Sequence, residues 1–156
     1  MNIPKLNQSK FLTIFITGII ATFVMSLTAF WQSGIGLVAM DPAVSILKSM
    51  NPAHPDIPYS LNVAVIYHYA NGVMLALLYY LFIDGKLPGS WILKGLIYSV
   101  ISTLLVAVIV AQIGFGAGFF FANTPAPALV SLSAFVSHGA YSMVLTLGLY
   151  VGDLIQ

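Results

Sequence analysis

Apolar residues fill four long stretches of this chain, and polar residues gather in the breaks between them. The stretches run at about Phe11 to Val38, Leu61 to Ile83, Trp91 to Gly114 and Leu129 to Gly152. Each is near or above the roughly 20 residues that cross a hydrocarbon core as a helix. The breaks carry turn chemistry: Asp41-Pro42, then Asn51-Pro52-Ala53-His54-Pro55-Asp56-Ile57-Pro58, then Asp84-Gly85-Lys86-Leu87-Pro88-Gly89, then Asn123-Thr124-Pro125-Ala126-Pro127. Proline and glycine in these positions end regular structure. The pattern predicts an all-α chain, residues 1–156 forming a single transmembrane domain with four spans. In the first long break, Pro42 to Met50 fits a short helix lying in the membrane interface, with Val44, Ile46 and Leu47 in lipid and Lys48 in water. An ordinary connecting turn fits as well.

Small and polar residues inside the second and fourth stretches form a ladder. Ala64, His68, Gly72, Ala76 and Tyr80 recur seventy residues later as Ala134, His138, Ser142, Thr146 and Tyr150. Steps of four keep successive side chains near one helix face. The first and third stretches close alike, on Gln32-Ser33-Gly34-Ile35-Gly36 and Gln112-Ile113-Gly114-Phe115-Gly116. The chain therefore reads as two copies of one helical hairpin. A copy with an even number of spans inserts the same way up each time, which implies a pseudo-two-fold axis along the membrane normal. The expected fold is an integral membrane four-helix bundle built from two parallel-repeat hairpins.

Composition strengthens the membrane reading. Hydrophobic residues make up 60% of the chain and charged ones 6%, with a mean hydropathy of +0.99. A water-facing domain carries about a quarter charged residues. Five lysines stand against four acids, with no arginine, which argues against nucleic acid as a partner. The absence of cysteine removes disulfides, thiolate metal sites and thiol nucleophiles. A cleaved signal peptide is the rival reading of the first stretch, but its apolar run is too long and its only cleavage-like site, around Ala29, is weak. Lys5, Lys10, Lys86 and Lys94 fall on one side of the membrane and Lys48 on the other. The positive-inside rule then predicts cytoplasmic termini.

Candidate chemistry concentrates on the ladders. Small residues let helices approach closely in lipid, so their lane is expected to face the bundle interior and to turn His68 and His138 inward. Each histidine lies fifteen residues from the inner boundary, about 22 Å up the helix. Gln32 and Gln112 lie slightly further out, and the four side chains together predict a polar layer. One reading makes this layer hydrogen-bonded glue for the bundle. A second makes His68 and His138 axial ligands of a b-type haem, with Gly72 and Ser142 admitting the macrocycle. Direct metal binding by the two histidines is a variant with few visible ligands. A third is a conduit, with Gly34, Gly36, Gly114, Gly116 and Gly118 unwinding helix ends.

Other features carry less. Ser99, Ser102 and Thr103 are expected to bond their own backbone carbonyls. Trp31, Trp91, Tyr59 and Tyr98 are expected near the membrane boundaries, and Phe119-Phe120-Phe121 as an interfacial or partner-facing anchor. His54 is expected in a solvated loop. No hydrolase, nucleotide or calcium motif is present, and no catalytic set is assigned.

The order His68-x-x-Asn71-Gly72, Leu75, Tyr80, Leu87-Pro88-Gly89, then His138 with Tyr141 and a Leu-rich last helix resembles an uncharacterised family of small bacterial four-span membrane proteins. In that family a histidine opens the second and fourth helices. The likeness runs from about Gly18 to Tyr150. It implies a four-span bundle in a bacterial inner membrane and attaches no activity. The family's second histidine is followed by glycine four residues on; here Ser142 stands there. The leading expectation is a non-catalytic subunit or scaffold, packed in the lipid bilayer against itself or a larger membrane complex. Haem-based electron transfer and a small conduit are the alternatives.

Overall fold

A computed structural model describes residues 6–53, 59–105, 109 and 116–155. The described residues are helical throughout, joined by short turns, with five α-helices: α1 (Gln8–Trp31), α2 (Pro42–Ala53), α3 (Leu61–Leu78), α4 (Trp91–Leu104) and α5 (Pro127–Leu154). Three continuous helical segments, Gln8–Ile35, Leu61–Lys86 and Pro127–Leu154, are long and apolar enough to cross a membrane. α4 is apolar and shorter, and the end of the predicted third stretch, including Gln112, lies outside the described residues. His54 also lies outside them.

Local chemistry sets the helix ends. The Asn7 side chain accepts from the Lys10 backbone N–H at 2.7 Å to start α1, and Asp41 accepts from Val44 N–H at 3.1 Å to start α2. Ser60 does the same for α3. Such caps satisfy donors that a helix cannot pair internally. Pro127 opens α5, where its missing N–H costs nothing. α1 tightens into a 3₁₀ turn over Gln32–Ile35 and stops at Gly36, whose φ of 83° is left-handed and suits glycine. α3 passes into a π-turn over Tyr79–Ile83 before its own 3₁₀ stop at Asp84–Lys86. The short helix expected at Pro42 to Met50 forms and extends to Ala53.

The helices are sorted opposite to those of a water-soluble protein. α1 buries Ile14, Thr17, Gly18, Ala21 and Thr22, while Leu12, Ile16, Ile20, Phe23 and Leu27 are exposed. α5 buries Ser133, Ser137, Ser142 and Thr146 and exposes Leu132, Phe135, Leu147 and Val151. Water would favour the reverse. Lipid does not, because large apolar side chains gain nothing by leaving it and small residues allow close helix packing.

α1 packs between α3 and α5, α4 packs on the far side of α5, and α2 lies on α3. Several glycines sit where neighbouring helices press together. A side-chain carbon at Gly18 would crowd Val73 and Ala76, and one at Gly95 would crowd Met143 and Thr146. Thr17 fills the space at Gly148, and Thr13 that at Gly152. α3 and α4 are instead bridged by tyrosines. Tyr79 and Tyr98 pack with ring centroids 4.5 Å apart, and the Tyr98 hydroxyl donates to Leu75 O at 3.3 Å. Tyr98 is thus a core residue and not a boundary anchor, since the gap between these helices needs a large side chain with a polar tip.

Two crossed ion pairs close the end of the molecule where α1 and α4 begin and α3 and α5 finish. Lys10 of α1 pairs with Asp153 of α5, and Lys94 of α4 pairs with Asp84 after α3 at 3.0 Å. Lys10 also lies 5.7 Å from the Tyr80 ring centre. Asp84 additionally accepts the Tyr79 hydroxyl at 2.9 Å.

Candidate functional site

The histidine lane faces the interior over most of its length. Ala64, His68, Gly72 and Ala76 are buried on α3, and Ala134, Ser142 and Thr146 on α5, with His138 half-buried. The last rungs turn away. Each step of four advances about 40° around a helix of 3.6 residues per turn, so four steps swing through about 160°. Tyr150 is accordingly exposed and Tyr80 partly so, while Tyr79 and Leu149 take the inward positions.

His68 is 7% exposed and its Nε2 lies 3.0 Å from Ser26 Oγ on α1. Ser26 Oγ also lies 2.9 Å from Thr22 O, and whether Ser26 or His68 donates in their contact depends on the imidazole tautomer. His138 bonds within its own helix. Its Nδ1 lies 2.8 Å from Ala134 O, and a carbonyl only accepts, so Nδ1 carries the proton. Asp41 and His138 both lie within electrostatic reach of His68.

The small positions beside the histidines are filled by protein. Thr22 sits over Gly72, leaving no room there even for a methyl group. Ser142 lies 3.5 Å from Ser102 of α4, oxygen to oxygen. Tyr141 reaches across from α5 and donates to Gly72 O at 2.6 Å. Gly72 and Ser142, the positions offered to a macrocycle by their size, serve helix packing, and the Gly72 face of α3 is closed by α1. Ser102 and Thr103 both bond Ser99 O, as serines and threonines in apolar helices do.

Gln32 is buried but does not join the histidines. Its Nε2 donates to Val38 O at 2.6 Å, and its Oε1 lies 3.4 Å from Ser137 Oγ, whose hydroxyl has a shorter bond to Ser133 O at 2.9 Å. Val38 N–H in turn donates to Ser133 Oγ. The glutamine thus ties the loop after α1 to α5, because the left-handed turn at Gly36 brings that loop back over the helix end. Gln112, its expected counterpart, lies outside the described residues. In the Phe119–Phe121 run Phe119 and Phe120 are exposed, while Phe121 is buried against Ala134 and Val130.

Clefts open on the surface formed by the described residues. One, of about 240 Å³, lies where α1, α2 and α3 meet and is lined by Ser26, Phe30, Asp41, Val65, His68 and Tyr69 among others. Another, of about 340 Å³, lies at the ion-paired end beside Asp84, Ser90, Trp91, Lys94 and Tyr150. No group of three or more His, Asp or Glu side chains suited to a metal ion occurs among the described residues. No buried side-chain nitrogen or oxygen among them lacks a hydrogen-bond partner. Asp41 and Ser26 join His68 without having been singled out by sequence. Their signal was faint: Ser26 follows Thr22 by four residues on the small face of α1, and Asp41 precedes a proline that starts a helix.

No protein-family model, curated protein or solved structure matches this chain.

Proposed function

We propose that the chain is a four-span integral protein of a bacterial inner membrane, with both termini in the cytoplasm, acting as a non-catalytic subunit or scaffold of a membrane assembly. The observation that carries the reading is the closed interior. The described buried polar groups are paired within the protein, and the spaces beside Gly72, Gly148, Gly152 and Gly95 are filled by Thr22, Thr17, Thr13 and Met143. Little is left inside for a substrate, so the surface that matters is the outer one, which is apolar along α1 and α5.

A duplicated hairpin is supported by matched contacts. Gly18 of α1 meets Val73 and Ala76 of α3; Gly95 of α4, seventy-seven residues after Gly18, meets Met143 and Thr146 of α5, seventy residues after Val73 and Ala76. Asp84 and Asp153 are sixty-nine apart, one short of that offset. The π-turn at Tyr79–Ile83 accounts for the difference, since it holds one more residue per turn than an α-helix. Each aspartate then meets the lysine that opens the other hairpin. Lys10 and Lys94 at this end, with Lys5 and Lys86 near it in sequence, support a cytoplasmic placement.

The test is purification from native membranes in mild detergent, followed by a visible spectrum and a native mass. The reading expects no Soret band and a mass above the 16.7 kDa chain, from self-association or a stoichiometric partner. A Soret band lost in His68→Ala and in His138→Ala would replace it with haem binding. A colourless monomer would also contradict it.

A further inference from the structure

Asn71 carries an amide on the outer face of a membrane-spanning helix, far from either end. It stands ten residues after Leu61 in the segment Leu61–Lys86, about 15 Å from the helix start, and its side chain is exposed. Gln8 and Asn62, the other exposed amides of the described spans, stand in the first turn of their helices. Among the described residues the Asn71 side chain has no hydrogen-bond partner, not even the carbonyl one turn back that a mid-helix asparagine can reach. Lipid tails offer neither donors nor acceptors, so an amide at this depth is unfavourable until protein pairs it.

The residues around Asn71 form a seam. Tyr67, Asn71, Met74 and Leu78 are all exposed and follow one another at spacings of four, three and four. That is the a/d rhythm of helices packed side by side, and a single asparagine at an a position fixes register and partner number. Ala70, also exposed, is small enough to let a second backbone approach. Seventy residues on, Tyr141 is buried and donates to Gly72 O. The second hairpin uses this position inside the protein, and the first presents it outside.

A second copy of the chain fits the seam by construction. An amide both donates and accepts, so two Asn71 side chains can pair reciprocally across a two-fold axis along the membrane normal. Copies inserted the same way carry Asn71 at the same depth, and such an axis brings one surface against itself. Lipid alone would cover the seam and leave the amide unpaired. We propose that α3 is the dimerisation helix of this protein, two copies packing along Tyr67, Asn71, Met74 and Leu78 with their Asn71 amides hydrogen-bonded to each other. The proposal rests on the subunit reading above and names the partner as a second copy.

The experiment measures dimerisation of the full chain in liposomes, by energy transfer between copies labelled at one terminus and diluted with lipid. The expected dissociation constant rises about tenfold in Asn71→Leu, the scale of an interhelical hydrogen bond, and recovers in Asn71→Gln. Thermal unfolding of monomeric Asn71→Leu in detergent should match that of the unaltered chain, because the side chain faces out. In native membranes, Met74→Cys should give a disulfide-linked homodimer on oxidation, and Ile16→Cys, exposed on α1, should not. A dimer unchanged in Asn71→Leu, or cross-linked through Ile16→Cys and not through Met74→Cys, would overturn the α3 seam and leave the subunit reading standing. A stoichiometric complex with a different protein and no homodimer would overturn the second-copy partner with the same consequence. A monomer at every dilution, with no partner in native membranes, would overturn both.

Discussion

Thr22 of α1 sits directly over Gly72 of α3, in the space that any β-carbon on Gly72 would occupy. The Thr22 hydroxyl is turned back to Gly18 O at 2.7 Å, so it approaches the neighbouring helix without leaving a polar group unpaired. Gly72 is at once packed beneath the Thr22 side chain of α1 and, through its carbonyl, the acceptor for Tyr141 from α5. One glycine thus fixes the spacing of three helices.

Gly72→Ala is expected to destabilise the protein by about 1–3 kcal/mol, the usual cost of overpacking a closed interior. Thermal unfolding in detergent would read it, and adding Thr22→Ala should restore part of the loss. Gly34→Ala is the control. Nothing lies within 4 Å of the β-carbon it would add, so its effect should stay within about 0.5 kcal/mol.

Tyr141→Phe should cost about 0.5–2 kcal/mol, the range for interhelical hydrogen bonds in membrane proteins. Tyr98→Phe should cost less, because its bond to Leu75 O is longer, 3.3 Å against 2.6 Å. Equal losses from the two variants would contradict the geometry.

The crossed ion pairs should not be equivalent. Asp84 holds both Lys94 and the hydroxyl of Tyr79, a residue with no exposed surface. Asp84→Ala leaves that hydroxyl without its acceptor and should cost about 1–3 kcal/mol. Asp153 is 63% exposed although its partner Lys10 is only 10% exposed, so the carboxylate end of this pair is hydrated and its attraction is screened, and its removal orphans no hydroxyl. Asp153→Ala should therefore be the milder change in the same unfolding assay.

Gln32→Ala should release the loop that follows α1. Limited proteolysis would show faster cleavage across residues 36–41, and Ser133→Ala should act the same way by freeing Val38 N–H. Unchanged cleavage in both variants would mean that the loop is held by other contacts.

Much of the architecture is legible in the sequence because length and apolar content alone decide where helices run in lipid. α1, α3 and α5 follow the predicted stretches, and the short helix at Pro42 follows from Asp41-Pro42 and the spacing of Val44, Ile46 and Leu47. The ladder is legible as a face, since periodicity reports which residues share a side. It does not report what that side meets. Thr22 over Gly72, Ser26 on His68 and the crossing of Lys10 to Asp153 depend on helix rotation and crossing angle, which no local pattern encodes. The inward turn of Tyr79 in place of Tyr80 depends on drift along the lane and on a π-turn. Gln32 looked like a partner for the histidines because of its height; the backward fold of the loop at Gly36 gave it a nearer carbonyl. Asp41 joined the cleft only once α2 was laid on α3.

Cysteine cross-linking in native membranes tests the central claim, that the chain crosses four times with its hairpins exchanging ion pairs at one end. The natural sequence has no cysteine, so every introduced pair reports cleanly. The account predicts disulfides in Lys10→Cys/Asp153→Cys and in Asp84→Cys/Lys94→Cys, and none in Lys10→Cys/Lys48→Cys. Cross-linking of Lys10→Cys to Lys48→Cys, or failure of both crossed pairs, would contradict it.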